Sequence, residues 1–264
     1  FPNYTKWGQV VKKMKENRRR QIEELVIQKK SISMQELCEQ LKVSMNTVRS
    51  DVNNLVQAGV VEKVYGGIRL REHEDIPLYE NRSVQQTDCK CRIARAAERL
   101  IADGDIIYID SGTTTMRLLD YLDPQKRITV VTASVSVLVR AQAMSNLTLM
   151  VLPGLYDKRT NALLDNSTVE YLSRFKHTKA FLGVSSIAAN GELGVSNWLE
   201  YELKRSAIAH SQESYLLVDA TKYGRAGLLT FSSIDQMAAV VTDTDMQDSF
   251  VSLCQSKKIT IYQV

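Results

Sequence analysis

The sequence of 264 residues is poor in cysteine and histidine. Its four cysteines (Cys38, Cys89, Cys91 and Cys254) are too few for a disulfide framework. The C-x-C spacing of Cys89 and Cys91 is not that of common zinc or redox motifs. The three histidines lie far apart, which excludes a local histidine-based metal motif. We therefore expect free thiols and neither a metal nor a cofactor.

Long apolar runs and nucleotide-binding signatures are also missing. No run approaches the roughly 20 apolar residues that a membrane-spanning helix needs. The start, FPNYTKWGQV, lacks the basic and apolar segments of a signal peptide. We therefore expect a cytoplasmic protein without a membrane partner. Neither G-x-x-x-x-G-K-[ST] nor G-x-G-x-x-G occurs, which disfavours ATP and dinucleotides as ligands.

The charge is unevenly distributed along the chain. Residues 1–72 contain 14 lysines and arginines against 8 acidic residues, whereas residues 73–264 contain 20 against 22. The positive excess at one end indicates a polyanionic partner for that end, although charge alone also fits a solvated basic face. For Arg18, Arg19 and Arg20, which contribute to the excess, the sequence leaves open phosphate contact or plain solvation.

Three helical patterns follow one another in the basic part. The first runs from about residue 16 to residue 29, and the second begins at Ser33, whose spacing from Glu36 predicts a capping box. After a very short link, Ser44 begins the third helix, and Gly59 is suited to end it. Two short helices joined by a tight turn indicate a helix-turn-helix.

The third helix and the segment after it have the side chains of a DNA-binding module. Arginine and asparagine can make paired hydrogen bonds to base edges, and serine and threonine suit phosphate contacts. In the following VVEKVYGGIRLR, Gly66-Gly67 predicts a hairpin with positive φ at both turn positions, which would be a wing. A winged helix used for protein contacts is the alternative. The predicted DNA-binding residues are Ser44, Asn46, Thr47, Arg49, Ser50, Asn53, Lys63 and Tyr65.

From about Asp88 onward, near-continuous apolar runs alternate with helical stretches. This alternation predicts a mainly parallel α/β sheet covered on both faces. The sequence therefore predicts a winged helix-turn-helix domain (1–72), a polar linker (73–87) and an α/β domain (88–264). The predicted strands are Ile106–Asp110, Ile128–Thr132, Thr148–Leu152, Lys179–Gly183, Ser214–Asp219, Met237–Thr242 and Ile259–Tyr262.

Small, hydroxylic or charged residues follow four of the predicted strands. Ligands of such sheets bind at the carboxyl ends of the strands. After the first strand, hydroxyls and amides can bind an anion where Gly112 lets the backbone approach closely. A helix cap or a solvated lysine would explain each feature singly, but together they favour a monophosphate on a small polar molecule. The predicted effector-binding residues are Asp110, Ser111, Gly112, Thr113, Thr114, Thr115, Thr132, Glu200, Lys204 and Lys222.

Taken in order, these motifs resemble those of DeoR-family transcriptional regulators. The resemblance covers roughly residues 16–245 and includes SMNTVRSDVNNLVQAGVVEKVYGG, DGDIIYIDSGTTT, ITVVTAS, KAFLGVSSI, LEYELKR and LVDATKYG. It implies a repressor that leaves its operator DNA on binding a phosphorylated sugar or related metabolite, with a sensor domain similar to sugar-phosphate isomerases. It also assigns the effector site to residues 110–115, Glu200, Lys204 and Lys222. We expect Asp110 to accept a sugar hydroxyl rather than act as a catalytic base.

The chain departs from the family pattern at several positions. Ala133 replaces an asparagine, Asp165 and Ser186 replace glycines, and Ser50 replaces an arginine. These changes leave the effector and the operator sequence undetermined, and they also fit a regulator that has lost its ligand.

The alternative function is a sugar-phosphate isomerase or deaminase with an accessory DNA-binding domain. The carboxylates Asp110, Glu200 and Asp219, and the lysines of the site, could then transfer protons. Fusion to a winged helix favours sensing over catalysis, so we expect a protein that is not an enzyme. Because operators present paired half-sites, we also expect a homo-oligomer, either a dimer or a tetramer, on double-stranded DNA.

Overall fold

The structure is a computed structural model of the chain that describes residues 18–19, 21–22, 25–26, 29–57, 61–70, 78–225 and 227–264. The chain divides into two compact units, Phe1–Glu74 and Asp75–Val264. The division lies close to the predicted end of the winged domain. In the described ranges, no helix is long and apolar enough to cross a membrane.

The described residues of the first unit form three helices and one small sheet. Helix α1 comprises the described residues between 18 and 29, which are helical. The strands β1, β2 and β3 pair antiparallel in the order β1-β3-β2. Apolar side chains of all three helices, including Ile22, Leu37 and Val52, are fully buried. The further elements are Ser31–Ser33 (β1), Met34–Leu41 (α2), Met45–Gln57 (α3), Val61–Val64 (β2) and Gly67–Leu70 (β3).

Only half of the predicted capping box forms at the start of α2. The Ser33 hydroxyl accepts a hydrogen bond from the Glu36 N–H at 3.1 Å. The Glu36 carboxylate does not reach back to Ser33, because it forms an ion pair with Lys29. The predicted helix end at Gly59 lies outside the described residues.

The wing is a hairpin whose turn differs from the prediction by one residue. Val64 pairs with Gly67, so the turn residues are Tyr65 and Gly66. Only Gly66 has a positive φ, of 77°. Gly67 is required for another reason, since a Cβ there would lie 2.3 Å from the Ile32 carbonyl oxygen of β1. The second glycine therefore allows close packing between strands rather than a turn.

The largest sheet in the described part of the second unit has seven strands, beside the smaller sheets β10-β11-β13 and β7-β8. All its neighbouring strands are parallel, in the order β15-β14-β12-β9-β4-β5-β6. All seven predicted strands occur in it, and the predicted mainly parallel α/β fold is confirmed. The strands of this unit are Ile106–Ile109 (β4), Ile128–Thr132 (β5), Leu147–Val151 (β6), Tyr156–Asp157 (β7), Ala162–Leu163 (β8), His177–Leu182 (β9), Ser186–Ile187 (β10), Glu192–Val195 (β11), Ser211–Val218 (β12), Leu229–Ser233 (β13), Ala239–Thr242 (β14) and Thr260–Gln263 (β15).

Helices cover both faces of this sheet. On one face Ile93, Ile107 and Phe181 belong to one buried core, and on the other Tyr108, Leu182 and Leu203 belong to a second. Burial on both faces explains the continuous apolar runs of the strands. The helices are Tyr79–Val84 (α4), Thr87–Glu98 (α5), Val135–Ala141 (α6), Asn166–Leu172 (α7), Trp198–Ala209 (α8) and Asp248–Ser256 (α9), with a 3₁₀ helix at Thr115–Asp120.

Part of the predicted linker 73–87 is helical and packs on the second unit. Helix α4 has six residues, and its Tyr79 is buried in the core. The Tyr79 hydroxyl donates a hydrogen bond to Met116 Sδ at 2.8 Å. Helix α4 is thus an element of the second unit rather than a spacer.

All four cysteines are free thiols, in two different environments. Burial raises the pKa of Cys89 to about 12, and its bond to Asp243, 3.0 Å from Sγ to Oδ2, adds to this. Burial also raises the pKa of Cys254 to about 11. Cys38 and Cys91 are half-buried.

Candidate functional site

Helix α3, the predicted recognition helix, presents its polar side chains to solvent. The Ser44 hydroxyl caps it by accepting a hydrogen bond from the Thr47 N–H at 3.4 Å. The opposite face, with Val48 and Val52, is fully buried, so packing fixes which side chains point outward. Among the predicted DNA-binding residues Thr47 is half-buried, and the exposed ones are Ser44, Asn46, Arg49, Ser50, Asn53, Lys63 and Tyr65.

Two arginines connect α1 to the recognition helix. Arg18 Nε donates to Asp51 Oδ2 at 2.5 Å, and Arg19 Nε donates to Asp51 Oδ1 at 3.4 Å. Because Asp51 is only 2% exposed, both guanidinium groups neutralise it inside the unit. Arg18 and Arg19 therefore position α3, a role that the sequence did not indicate. Arg20 lies outside the described residues.

A groove of about 270 Å³ lies between α3 and the wing. Arg49 and Asn53 of α3 and Lys63 of the wing line it together. The wing tip, Tyr65, is fully exposed. The recognition helix and the wing therefore present one joint polar surface.

In the second unit, Asp110 lies at the carboxyl edge of the parallel sheet. Its carboxylate accepts hydrogen bonds from the N–H groups of Gly112 at 2.9 Å and Gly183 at 2.7 Å. The Thr115 hydroxyl also donates to it, and Lys204 forms an ion pair with it. Burial alone would raise the pKa of Asp110, but the Lys204 charge and these bonds hold it below its usual value. The charged carboxylate thus has four donors from the chain itself.

Helix α8 supplies Lys204 and Glu200 to this edge. The Lys204 side chain is only 6% exposed, and its ammonium also donates to the Gly183 carbonyl at 2.9 Å. Glu200 lies one turn earlier, with Oε1 3.4 Å from the Ser111 hydroxyl. Burial raises the pKa of Glu200, and the Lys204 charge offsets this only in part. The structure therefore brings four of the predicted effector-binding residues close together: Asp110, Ser111, Glu200 and Lys204.

The loop between β4 and the 3₁₀ helix contains hydrogen-bond donors that the described part of the chain does not use. Thr113 and Thr114 are 6% and 7% exposed, yet neither hydroxyl bonds to another described group. The same holds for the backbone N–H groups of Ser111, Thr113 and Thr114. Gly112 keeps the loop tight, since a Cβ there would lie 2.8 Å from Thr115 Oγ1. These donors are available to a ligand.

Thr132 and Lys222 differ in their placement. Thr132 is fully buried, and its hydroxyl donates to the Ile109 carbonyl at 2.7 Å and accepts from the Ser134 N–H at 3.0 Å. These bonds join β5 to β4. Lys222 follows β12 and is half-exposed, and no acidic group in the described ranges forms an ion pair with it.

Three further cations at this edge were missed by the sequence analysis. Lys90 of α5 is 4% exposed and has no ion-pair partner among the described residues. Burial lowers the pKa of Lys90 to about 8, a shift that the Asp219 carboxylate opposes. Other positive charges lower it further: those of Lys222, Arg117 and Arg82. We call Arg82, Lys90, Arg117 and Lys222 the basic cluster.

The sequence did contain a signal for Lys90. It shares the buried stripe of α5 with Ile93, Ala94 and Ala97, at the spacing i, i+3, i+4 and i+7. A lysine on an otherwise apolar helix face is rarely buried without a purpose. Arg82 carries no such signal, because it lies in the segment predicted to be a linker.

Two of the departures from the family pattern, Asp165 and Ser186, have defined local surroundings. Asp165 caps α7, accepting from the Thr168 N–H at 3.1 Å while the Thr168 hydroxyl accepts from the Asp165 N–H at 2.9 Å. Ser186 is buried beside Gly194, where a Cβ would lie 2.5 Å from Ser186 Oγ.

Within the described residues no group of three His, Cys, Asp or Glu side chains could hold a metal ion.

Together, a winged helix-turn-helix unit and an α/β unit with ligand-binding features at its carboxyl edge define a transcriptional regulator with a sensor domain. Two family models match the chain, the DeoR-like helix-turn-helix domain at residues 18–74 and the DeoR C terminal sensor domain at residues 85–244. The chain belongs to the DeoR family, and the predicted family is confirmed.

Relatives of known designation are similar over most of their length. The HTH-type transcriptional regulator IolR of Bacillus subtilis is 36% identical over 249 residues, which are 94% of this chain and 99% of that protein. The glycerol-3-phosphate regulon repressor of Escherichia coli is 30% identical over 220 residues, 83% of this chain and 87% of that protein. Among solved structures, ribose 5-phosphate isomerase A from Methanocaldococcus jannaschii has a TM-score of 0.40 and 16% identity, over 53% of this chain and 55% of that chain.

Proposed function

We propose that the protein represses a sugar-metabolism operon and that a phosphorylated sugar or related metabolite releases it from its operator. The observation that carries this proposal is the basic cluster, which accompanies the unused donors of the loop 111–114. Anionic oxygens form the shorter and stronger hydrogen bonds with such donors. The cluster belongs to a chain that also contains a winged helix-turn-helix, so binding of an anion can be linked to DNA affinity.

On the DNA side, the exposed face of α3 would enter the major groove. Arg49 and Asn53 are the side chains suited to paired hydrogen bonds with base edges. Ser44 and Thr47, at the helix start, suit phosphate contacts, with Asn46 and Ser50 beside them. Lys63 and Tyr65 would contact the backbone of the DNA from the wing.

The roles within the effector site follow from which groups are already engaged. Asp110 has four donors from the chain, which favours a role in holding the loop rather than the expected role of accepting a sugar hydroxyl. Glu200 is the better acceptor for a hydroxyl, because its described hydrogen bond is the single one with Ser111. Thr113, Thr114 and Lys222 would bind the phosphate.

We also propose that the site binds its ligand without turnover. An isomerase needs a free base over the carbon beside the carbonyl, and Asp110 is engaged on both oxygens. Glu200 favours the alternative, since burial raises the pKa of its carboxyl and carboxyls with perturbed pKa values often transfer protons at active sites. Incubation of sugar phosphates with the purified protein decides the matter, and conversion of any of them would contradict this proposal.

The oligomeric state and location belong to the same proposal. A regulator of this kind would bind a pseudo-palindromic operator as a homo-oligomer, because paired half-sites match a two-fold protein. Operator DNA and phosphorylated metabolites meet in the cytoplasm, where we place the protein.

The test is a screen of sugar phosphates for release of a fluorescent operator fragment. Lys222→Ala should bind the operator normally and need at least about 10-fold more ligand for release, because a charge-assisted phosphate bond is lost. Lys176→Ala is the control, since Lys176 is exposed at the opposite end of the sheet. If no phosphate releases the wild-type protein, the proposed effector class is wrong.

A further inference from the structure

We propose that α4 transmits the effector signal, with Lys90 and Arg117 as the residues that switch it. They hold the C-terminal carbonyl groups of α4, and a bound phosphate would compete for the same two side chains and release the helix. This inference rests on the proposed function, because it takes an anionic effector as the competitor.

The contacts at the end of α4 form a clamp made by side chains. The last carbonyl groups of a helix have no partner within the helix. Lys90 Nζ donates to the carbonyls of Arg82 at 2.5 Å and Gln85 at 2.7 Å. Arg117 Nη2 donates to the Ser83 carbonyl at 3.3 Å. Two members of the basic cluster therefore close the end of a helix that carries a third, Arg82.

Helix α4 needs this clamp to persist. It has six residues, whereas isolated helices shorter than about 12 residues are marginal in water. Its N-terminal residue Tyr79 is anchored in the core, but Val84 at the other end is 75% exposed. Cations at a helix C-terminus also interact favourably with the helix dipole. Removing Lys90 and Arg117 from the carbonyls should therefore fray the last turn first.

The same two side chains are suited to bind an anion. Lys90 is buried with the charges of Lys222, Arg117 and Arg82 close enough to destabilise its own. A phosphate would relieve this repulsion and offer stronger acceptors than backbone carbonyls. The ligand would thus bind more tightly to the state in which Lys90 and Arg117 have left the α4 carbonyls than to the clamped state. Such a difference in affinity between two states is what an allosteric change requires.

The position of α4 in the chain suggests how fraying of the helix would affect the DNA-binding unit. Residues 71–78 join β3, the second strand of the wing, to α4, so α4 is the first described helix of the sensor unit after the DNA-binding unit. Fraying of its last turn would loosen α4, the helix that lies in sequence between the wing and the rest of the sensor unit. An effector that frays α4 would in this way lower the affinity for DNA. By thermodynamic linkage, bound DNA would then lower the affinity for the effector by the same factor.

Hydrogen exchange of the full-length protein tests the clamp directly. We expect the amides of residues 82–86 to exchange faster when millimolar inorganic phosphate is added. Lys90→Met should show the same faster exchange without phosphate and should bind the operator about 10-fold more weakly. The matched control is Lys126→Met, which removes a lysine that pairs with Glu98 at the other end of α5 at 2.6 Å. It should change neither quantity.

A second variant keeps the test decisive if Lys90→Met does not fold. Arg117→Gln removes one clamp bond, the one to the Ser83 carbonyl, and should raise the exchange of the same amides to a smaller extent. Unchanged exchange in Arg117→Gln, or full operator affinity in a folded Lys90→Met, overturns the clamp. Phosphate that releases operator while α4 stays protected overturns it too and leaves the proposed function intact. The opposite outcome is also distinguishable. If the variants behave as expected but no phosphate ester releases the protein from its operator, the clamp is supported and the proposed effector is rejected.

Discussion

Asp110 and Lys204 show at the residue scale how a buried charge pair constrains this site. Replacing Asp110 with Asn leaves the Lys204 ammonium buried without its counter-charge, so the free energy of unfolding should fall by about 3–5 kcal/mol. Asp235→Asn is the control, because Asp235 pairs with Lys257 on the surface, where solvent screens the pair, so its loss of stability should be much smaller. Urea denaturation measures both, and equal losses would refute a structural role for Asp110.

The pair of Asp110 and Lys204 also predicts how the stability of the protein depends on acidic pH. The pKa of Asp110 is lower in the folded protein than its ordinary value of about 4. Its stabilising contribution is therefore present above the unfolded pKa and is lost as the pH falls through the folded one. Asp110→Asn should accordingly flatten the decline in stability below about pH 4.

The charge of Lys90 predicts how phosphate binding depends on alkaline pH. Its pKa is lowered to about 8, so its charge is present below that pH and disappears above it. The groups that face it are Asp219, Lys222, Arg117 and Arg82. Calorimetry without DNA should show that inorganic phosphate binds about 10-fold more weakly at about pH 9.5 than at about pH 7. Lys90→Arg stays charged and should bind with a flatter pH profile, and equal profiles would rule Lys90 out of the anion site.

At the scale of elements, the wing depends on a close approach rather than on its turn. A Cβ at Gly67 would lie 2.3 Å from a backbone oxygen of β1, so Gly67→Ala should destabilise the DNA-binding unit by about 1–3 kcal/mol. No clash lies within 4 Å of a Cβ at Gly66, and asparagine adopts its φ of 77° more readily than other residues with a side chain, so Gly66→Asn should cost less than Gly67→Ala. Thermal melting distinguishes the two, and a larger effect at Gly66 would contradict the register of the hairpin.

The recognition helix makes a prediction about affinity. Arg49→Ala should weaken operator binding by about 1–3 kcal/mol and relax the sequence preference, as expected for a lost contact to a base. Lys63→Ala should instead weaken all DNA binding evenly and reduce the salt slope by about one. Arg127→Ala, an exposed arginine of the other unit, is the control. If Arg49→Ala lowers operator and random-DNA affinity equally, its role is a phosphate contact.

The sequence predicted elements well where burial produces a pattern. Seven strands were recognisable because burial on both faces demands continuous apolar runs. Helix α4 was taken for a linker because its six residues, four of them polar, are too few to show an apolar periodicity, and side chains of α5 and the 3₁₀ helix bond to its last turn. Tertiary contacts of this kind, like the bonds of Arg18 and Arg19 to Asp51, connect residues far apart in the chain and leave no local signal.

At the scale of the whole molecule, the connection between the units makes a prediction of its own. Inserting six glycine and serine residues between residues 71 and 77 should leave operator binding and phosphate binding nearly unchanged, because both sites lie within their own units. Release of the operator by ligand should be lost, since a flexible insert cannot pass on a change at α4. Operator release measured by fluorescence anisotropy checks this, and full release by the insertion variant would show that the signal takes another route.

Fluorophores attached to the cysteines can report on the transmission of the effector signal between the two units. Thiolates are the reactive form, so Cys89 and Cys254, whose pKa values are raised to about 12 and about 11, should resist maleimide dyes. The half-buried Cys38 and Cys91 remain, one in each unit. The unaltered chain therefore carries its own pair of attachment points for a donor and an acceptor fluorophore. Energy transfer between them would follow the two units in real time as an effector is added.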